Sequence, residues 1–171
     1  MFALGGLQGF IGWWMVSSGL KDKRSTSEVD KAPRVSPYRL TVHAGNAYLL
    51  YAVCLWQSLN CYRPPQESFI TLKNIQAHNV LRNQLCKFTF GLVPLVLVTG
   101  FFVAGTNAGV SCNTYPWVGE NYFYSKKHFI GGIPTWQNFT ENKLVTQVNH
   151  RTIATLMTLY ASHVVAKCLR K

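Results

Sequence analysis

Charge is what this sequence has little of. Only 13% of its 171 residues are charged, against about 25% in an average soluble domain, and the acidic ones number six. None falls from Met1 to Leu20, from Leu40 to Tyr62 or from Phe88 to Gly119, and Leu144 to Ala166 contains only Arg151. The six carboxylates (Asp22, Glu28, Asp30, Glu67, Glu120, Glu141) all lie between these stretches, so none is placed as an acid or base at membrane depth. Cys54, Cys61, Cys86, Cys112 and Cys168 form no CxxC and no paired spacing. Neither a zinc site nor a disulfide framework is signalled, and small apolar filler accounts for most of them. Serine-hydrolase, phosphate-loop and metalloprotease motifs are all missing. So is the basic n-region of a cleavable targeting peptide, because the first apolar stretch runs straight into Lys21-Asp22-Lys23-Arg24.

What is there is apolar sequence in long pieces. A helix needs about 20 mainly apolar residues to cross a bilayer core of about 30 Å. Four such spans fit, at about 1–20, 38–60, 88–109 and 144–166, and the chain reads as an all-α membrane protein with four antiparallel transmembrane helices. The mean hydropathy of +0.06 averages these spans with polar loops. A soluble helical protein is the alternative, but its helices would keep polar faces. The net charge of +11 does not point to nucleic acid, because Lys and Arg flank the spans instead of lining one face. Counting them leaves orientation open: residues 21–39 and 120–143 carry nine, while 61–87 and the tail carry seven. The chain begins inside one span and stops soon after another, so a segment of a longer protein is expected.

In the first span, Gly5, Gly6, Gly9 and Gly12 are expected to allow close helix contact, with Trp13 and Trp14 at the interface. Residues 66–87 carry a weak amphipathic pattern that predicts a short helix lying on the membrane. The uncharged run from Phe88 is too long for one straight crossing at about 1.5 Å per residue. Its helix is expected to end near Thr106 to Gly109, with a kink at Pro94. Residues 118–143 are rich in aromatics (Tyr122, Phe123, Tyr124, Phe129, Trp136, Phe139) and are expected to fold over something apolar or rest on lipid. Asn138-Phe139-Thr140 matches a glycosylation sequon.

The chemistry-bearing residues are two histidines just inside the second and fourth spans, His43 and His150. An ionisable group at membrane depth is costly and usually functional, and imidazole is a standard axial ligand of haem iron. With alternating crossings, both lie at similar depth near one surface. Ala47 below His43, and Ala154 and Ala161 below His150, are small enough to admit a flat macrocycle. On spacing alone, a hydrogen-bonded packing role is equally open for each. Arg39 and Arg151 sit beside them and can hold carboxylates or snorkel to headgroups. His78 and His128 are placed in loops. His163 lies about 20 Å along the helix from His150 and cannot share its iron.

Gly5-Gly6-Leu7-Gln8-Gly9-Phe10-Ile11-Gly12-Trp13-Trp14-Met15-Val16, Ser18-Gly19-Leu20 and Val35-Ser36-Pro37-Tyr38-Arg39-Leu40 with His43 closely resemble haem A synthase of the mitochondrial and alphaproteobacterial type. So do Ala104-Gly105-Thr106-Asn107-Ala108-Gly109, Asn113-Thr114-Tyr115-Pro116, Asn138-Phe139 with Glu141-Asn142, and Gln147 to Arg151. The resemblance covers nearly the whole chain in order. It implies an eight-helix membrane bundle of two similar four-helix halves, of which this chain supplies the third to sixth helices. In that family each half binds haem between a histidine on its second helix and one on its fourth. His43 matches the fourth-helix ligand of the first half and His150 the second-helix ligand of the second, each without its partner here.

The implied reaction oxidises a methyl group of haem O to a formyl group, giving haem A for cytochrome c oxidase, with haem b as cofactor in one half. The implied setting is the mitochondrial inner membrane, or the plasma membrane of a bacterium, with haem O synthase, an electron donor and a homo-oligomer as partners. The family's proposed catalytic Glu lies on a helix not present in this sequence. Its counterpart here is Gln147, so no catalytic residue is carried over. Asn107 stands where many relatives have Asp. The alternatives are a non-catalytic membrane haem-binding or oxidase-assembly protein and, more distantly, a subunit of another b-type cytochrome.

Overall fold

The computed structural model describes residues 2–19, 35–62, 72–118 and 125–169. The described residues are helical with short turns and no strand. The helices are α1 (Phe2–Gly19), α2 (Pro37–Tyr62), α3 (Leu72–Lys87), α4 (Val93–Gly105), α5 (Thr135–Glu141) and α6 (Lys143–Leu169). The chief contacts run in a row: α1 on α2, α2 on α4 and α4 on α6. Neighbours in the row are antiparallel. Asn46 of α2 reaches the Leu4 carbonyl of α1 while His43 meets Gly12. Tyr160 of α6 reaches Gln84 of α3 while His150 meets Gly100 of α4.

The local sequence sets the ends of these helices. Pro37 opens α2, where its missing N–H is not needed and its fixed φ suits the first turn. The Thr41 hydroxyl donates to the Pro37 carbonyl one turn back. Residue 107 must turn left-handed to end α4, with φ of 53°. Asparagine tolerates that conformation better than any other residue except glycine. α6 is capped by Asn142, whose Oδ1 accepts from the N–H groups of Leu144 and Val145 at 3.2 and 3.4 Å. These are the second and third helical residues, the usual partners of a capping side chain.

α3 does not lie apart as a surface helix. It continues into α4 through a single π-turn, Phe88–Leu92, with no intervening loop. Pro94 is the cause: it has no N–H to give the carbonyl of Phe90, and its ring crowds that carbonyl, so the helix takes up an extra residue just before it. The expected separate helix over residues 66–87 is therefore corrected to a helical stretch running on to Gly105, and His78 falls within α3. Residues 66–71 of that expectation lie outside the described residues. By length and composition, Asn79–Gly105 is long and apolar enough to cross a membrane. α2 and α6 carry more polar residues, among them Asn46, Gln57, Gln147 and Asn149.

Burial is concentrated at one end. Ala108, Val145, Thr146, Asn138 and Gln147 are at most 2% exposed, and all lie around the turn after α4 and the start of α6. Asn138 Oδ1 accepts from the Ile130 N–H at 2.8 Å, and its Nδ2 donates to the Ile130 carbonyl at 3.2 Å. Asn142 Nδ2 donates to the His128 carbonyl and to Asn138 Oδ1. The sequon asparagine is therefore buried, with both ends of its amide in use, and the folded chain offers no acceptor there for a glycan. Phe129 packs edge-on against Phe139, as expected of a loop folded on apolar contacts. Tyr122, Phe123 and Tyr124 lie outside the described residues. Along the long helices the large apolar side chains Leu49, Phe90, Leu156 and Leu159 are exposed. In water so much exposed apolar surface is rare, but lipid or further helices would cover it.

Candidate haem-ligand site

The two histidines occupy equivalent places. His43 lies six residues past the start of α2 and His150 seven past the start of α6, or about 9–10 Å along each axis. The two starts lie side by side. Tyr38 donates to Glu141 Oε1 at 2.8 Å, and its hydroxyl is 2.8 Å from Thr140 Oγ1. The imidazoles therefore sit at matching distances from the same end of the molecule, as expected from alternating spans.

Each imidazole lies against a glycine of the preceding helix in the row. A Cβ built on Gly12 would stand 3.0 Å from His43 Cε1, 3.5 Å from Nδ1 and 3.7 Å from Nε2. A Cβ on Gly100 would stand 3.1, 3.6 and 3.7 Å from the same three atoms of His150. In both cases the nearest atom is Cε1, flanked by its two bonded nitrogens, so each ring turns its Cε1 corner toward a notch that any side chain would fill. Both rings are half-buried; neither points out from the helices nor is fully enclosed. At Gly5, Gly6 and Gly9 an added Cβ would meet nothing within 4 Å among the described residues. The small residues that matter are thus on the facing helix. Ala47 and Ala154, on the histidines' own helices, are half-buried.

The polar surroundings of the two rings differ. His43 Nε2 is 3.3 Å from the Gln8 amide nitrogen, and Gln8 Oε1 accepts from Asn46 at 2.8 Å. Since the Asn46 amide fixes which end of Gln8 is the oxygen, Gln8 offers an N–H to His43, and Nε2 is the acceptor. Nδ1 then carries the proton and is buried, with no hydrogen-bond partner among the described residues. His150 Nδ1 lies 3.0 Å from Thr99 Oγ1.

Two half-buried imidazoles, each beside a bare glycine of the facing helix, are compatible with axial ligation. Among the described residues no group of three or more His, Cys, Asp or Glu forms a metal cluster. A single imidazole per site is thus the donor available, which suits haem and not a bare metal ion. Gln8 was missed in the sequence, where an uncharged polar residue in a glycine-rich helix gave no signal. His163 is exposed at the far end of α6.

Arg39 stacks its guanidinium over the Trp14 ring, 4.9 Å from the centroid, one turn before His43. Among the described residues no hydrogen bond or ion pair engages the Arg151 guanidinium beside His150. Gln147, one turn before His150, is occupied. Its Nε2 donates to the Gly109 carbonyl at 2.8 Å, and its Oε1 accepts from the Ser111 hydroxyl at 3.3 Å. It ties the turn after α4 to α6 and has no proton to exchange.

A family model described as cytochrome oxidase assembly protein matches residues 1–171. The chain is 39% identical over 147 residues to the haem A synthase COX15 of Homo sapiens, covering 84% of this chain and 33% of that protein. It is 37% identical over 162 residues to the haem A synthase COX15 of Arabidopsis thaliana, covering 91% and 32%. With the haem A synthase of Nitrosospira multiformis it shares 36% over 156 residues, covering 90% and 39%. No solved structure matches. The chain spans about a third of the length of the curated relatives it matches. With a family match along its whole length, this chain belongs to the cytochrome oxidase assembly family that includes the haem A synthases.

Proposed function

We propose that these residues form the central helices of a membrane-embedded haem A synthase, the third to sixth of an eight-helix, two-half bundle. The protein oxidises a methyl group of haem O to the formyl group of haem A for cytochrome c oxidase. The spans at about 1–20, 38–60, 88–109 and 144–166 cross the inner membrane of a mitochondrion or the plasma membrane of a bacterium, and the third of them begins within the longer helix that runs from α3. His43 and His150 each supply one axial imidazole, to different haems, because their rings face different helices. The observation that carries this reading is the pair of imidazoles at matching distances from one end of the molecule, each beside a glycine of the facing helix.

Bound haem b supplies one-electron redox chemistry. This chain's residues bind and orient. His150 offers Nε2 and His43 offers Nε2 once Gln8 swings aside, while Arg39 and Arg151 hold propionates at the membrane edge. Methyl to formyl, balanced with water as the oxygen source, releases four electrons and four protons, so an oxidant able to accept four electrons is required. Haem O synthase is the source of the substrate, and a homo-oligomer is the assembled form.

The test is His150→Ala in the full gene product, expressed where the host's own haem A synthase is deleted. Haem b content per protein should fall, and extracted pigment should contain less haem A. Unchanged haem content removes His150 as a ligand. A second reading, a haem-binding assembly protein without catalysis, is favoured by the occupied state of Gln147, which leaves this half without an acid or base beside its histidine. Expression of residues 1–171 alone separates the two. A catalyst yields formyl product, and a binder shows a b-type spectrum with none. The expected result for residues 1–171 alone is no haem A.

A further inference from the structure

The residue next to the second notch has a role of its own. The Thr99 hydroxyl oxygen lies 3.0 Å from the Leu95 carbonyl oxygen, 2.9 Å from that of Val96 and 3.0 Å from His150 Nδ1. A hydroxyl has one proton and two lone pairs, and a carbonyl oxygen can only accept. With the proton on a carbonyl of α4, the oxygen accepts from Nδ1–H of His150, whose ring also hydrogen-bonds the Val96 backbone. Together with the Val96 contact, that bond selects the tautomer with the proton on Nδ1 and leaves the lone pair on Nε2 bare, facing away from Thr99. A ligand histidine held through its other nitrogen keeps its orientation and gains basicity.

We propose that Thr99 is a positioning residue that sets the tautomer and rotation of His150, so that Nε2 is presented to haem iron as a standing ligand. The proposal rests on the reading of His150 as an axial ligand. The first notch supplies the contrast. The residue before Gly12 is Ile11, which has no hydroxyl, and His43 Nδ1 is buried with no partner among the described residues while Nε2 is shared with Gln8. One imidazole is thus fastened at the nitrogen that does not bind iron. The other is fastened at the nitrogen that does.

The experiment compares Thr99→Val, Thr99→Ser and His150→Ala in the full gene product, purified from membranes of a host that makes haem b. Thr99→Val keeps the volume and removes the acceptor. It should lower haem affinity by about tenfold, in the range found when a second partner of a ligand histidine is lost. It should also raise the midpoint potential of the remaining haem, because a less basic imidazole stabilises ferric iron less. Thr99→Ser keeps the oxygen and should restore both. Thr99→Ala repeats the Val measurement with the strongest helix former, so a packing defect peculiar to Val does not decide the outcome. Val and Ala variants with the parent's affinity and potential overturn the proposal. A Ser variant as impaired as Val also overturns it, because the lost feature would then be the methyl group. His150→Ala with full haem content removes the ligand reading itself, and that failure is distinguishable because it does not involve Thr99.

Discussion

Replacing Gly100 with alanine asks whether the notch under His150 matters. The added Cβ would stand 3.1 Å from Cε1, with Nδ1 and Nε2 at 3.6 and 3.7 Å. Carbon atoms prefer about 3.5–4.0 Å, so the near edge of the ring must retreat by about 0.5 Å or tilt. The helix itself gains, since alanine is favoured over glycine in a helix interior by about 1 kcal/mol. Overpacking costs about 1–3 kcal/mol, so net stability should change by no more than about 2 kcal/mol in either direction. Ligation is less forgiving, because metal–nitrogen distances are held to about ±0.2 Å. The expected result is a folded, membrane-inserted protein with haem b content reduced several-fold. Gly9→Ala, where the added carbon meets nothing within 4 Å, should keep its pigment. The assay is the absorption spectrum per milligram of purified protein, with helical content by circular dichroism alongside. If Gly100→Ala binds haem as fully as Gly9→Ala, the close approach of the ring to the glycine is incidental and the notches play no part in holding haem.

Two further outcomes follow from the buried end of the molecule. Asn142→Ala removes the cap of α6 and the bonds to His128 and Asn138. At about 1–3 kcal/mol for each buried group left unpaired, the variant should melt at clearly lower temperature and expose residues 128–142 to protease. Gln147→Glu replaces a donor to the Gly109 carbonyl with an oxygen that repels it unless protonated. This change should destabilise the protein by about 1–3 kcal/mol and should yield no gain in haem A formation. Thermal unfolding and pigment extraction check the two parts separately.

The sequence made the histidines legible because a charged or ionisable side chain is conspicuous inside an uncharged run. The same contrast placed α1, α2 and α6, and His43 and His150 fall at matching distances from one end because the helix starts that carry them meet through Tyr38 and Glu141. The end of α4 was readable too, near the expected Thr106, since asparagine at 107 accepts a left-handed turn. Other features needed the third dimension. Four glycines in α1 looked alike, and only Gly12 faces a ring, because which turn meets His43 depends on how α1 and α2 slide along one another. The sequon at Asn138 gave no sign that its amide would be consumed by Ile130 and Asn142. α3 was misread as a separate surface helix because its polar residues hide that it runs on through Phe88–Leu92 into α4.

That π-turn has a geometric consequence for the second notch. One inserted residue advances everything after it by about 100° around the axis. Gln84, before the turn, and Phe88, which opens it, face Tyr160 of α6, and Gly100, after it, faces His150 of the same helix. Counted at about 100° per residue with one residue discounted, Gly100 falls about 20° from Phe88; counted as an uninterrupted α-helix, it would fall about 120° away, and Thr99 would lie under the imidazole instead. Pro94 therefore works as a phase adjuster: the irregularity it forces rotates a bare backbone toward the ring and leaves the hydroxyl at its rim.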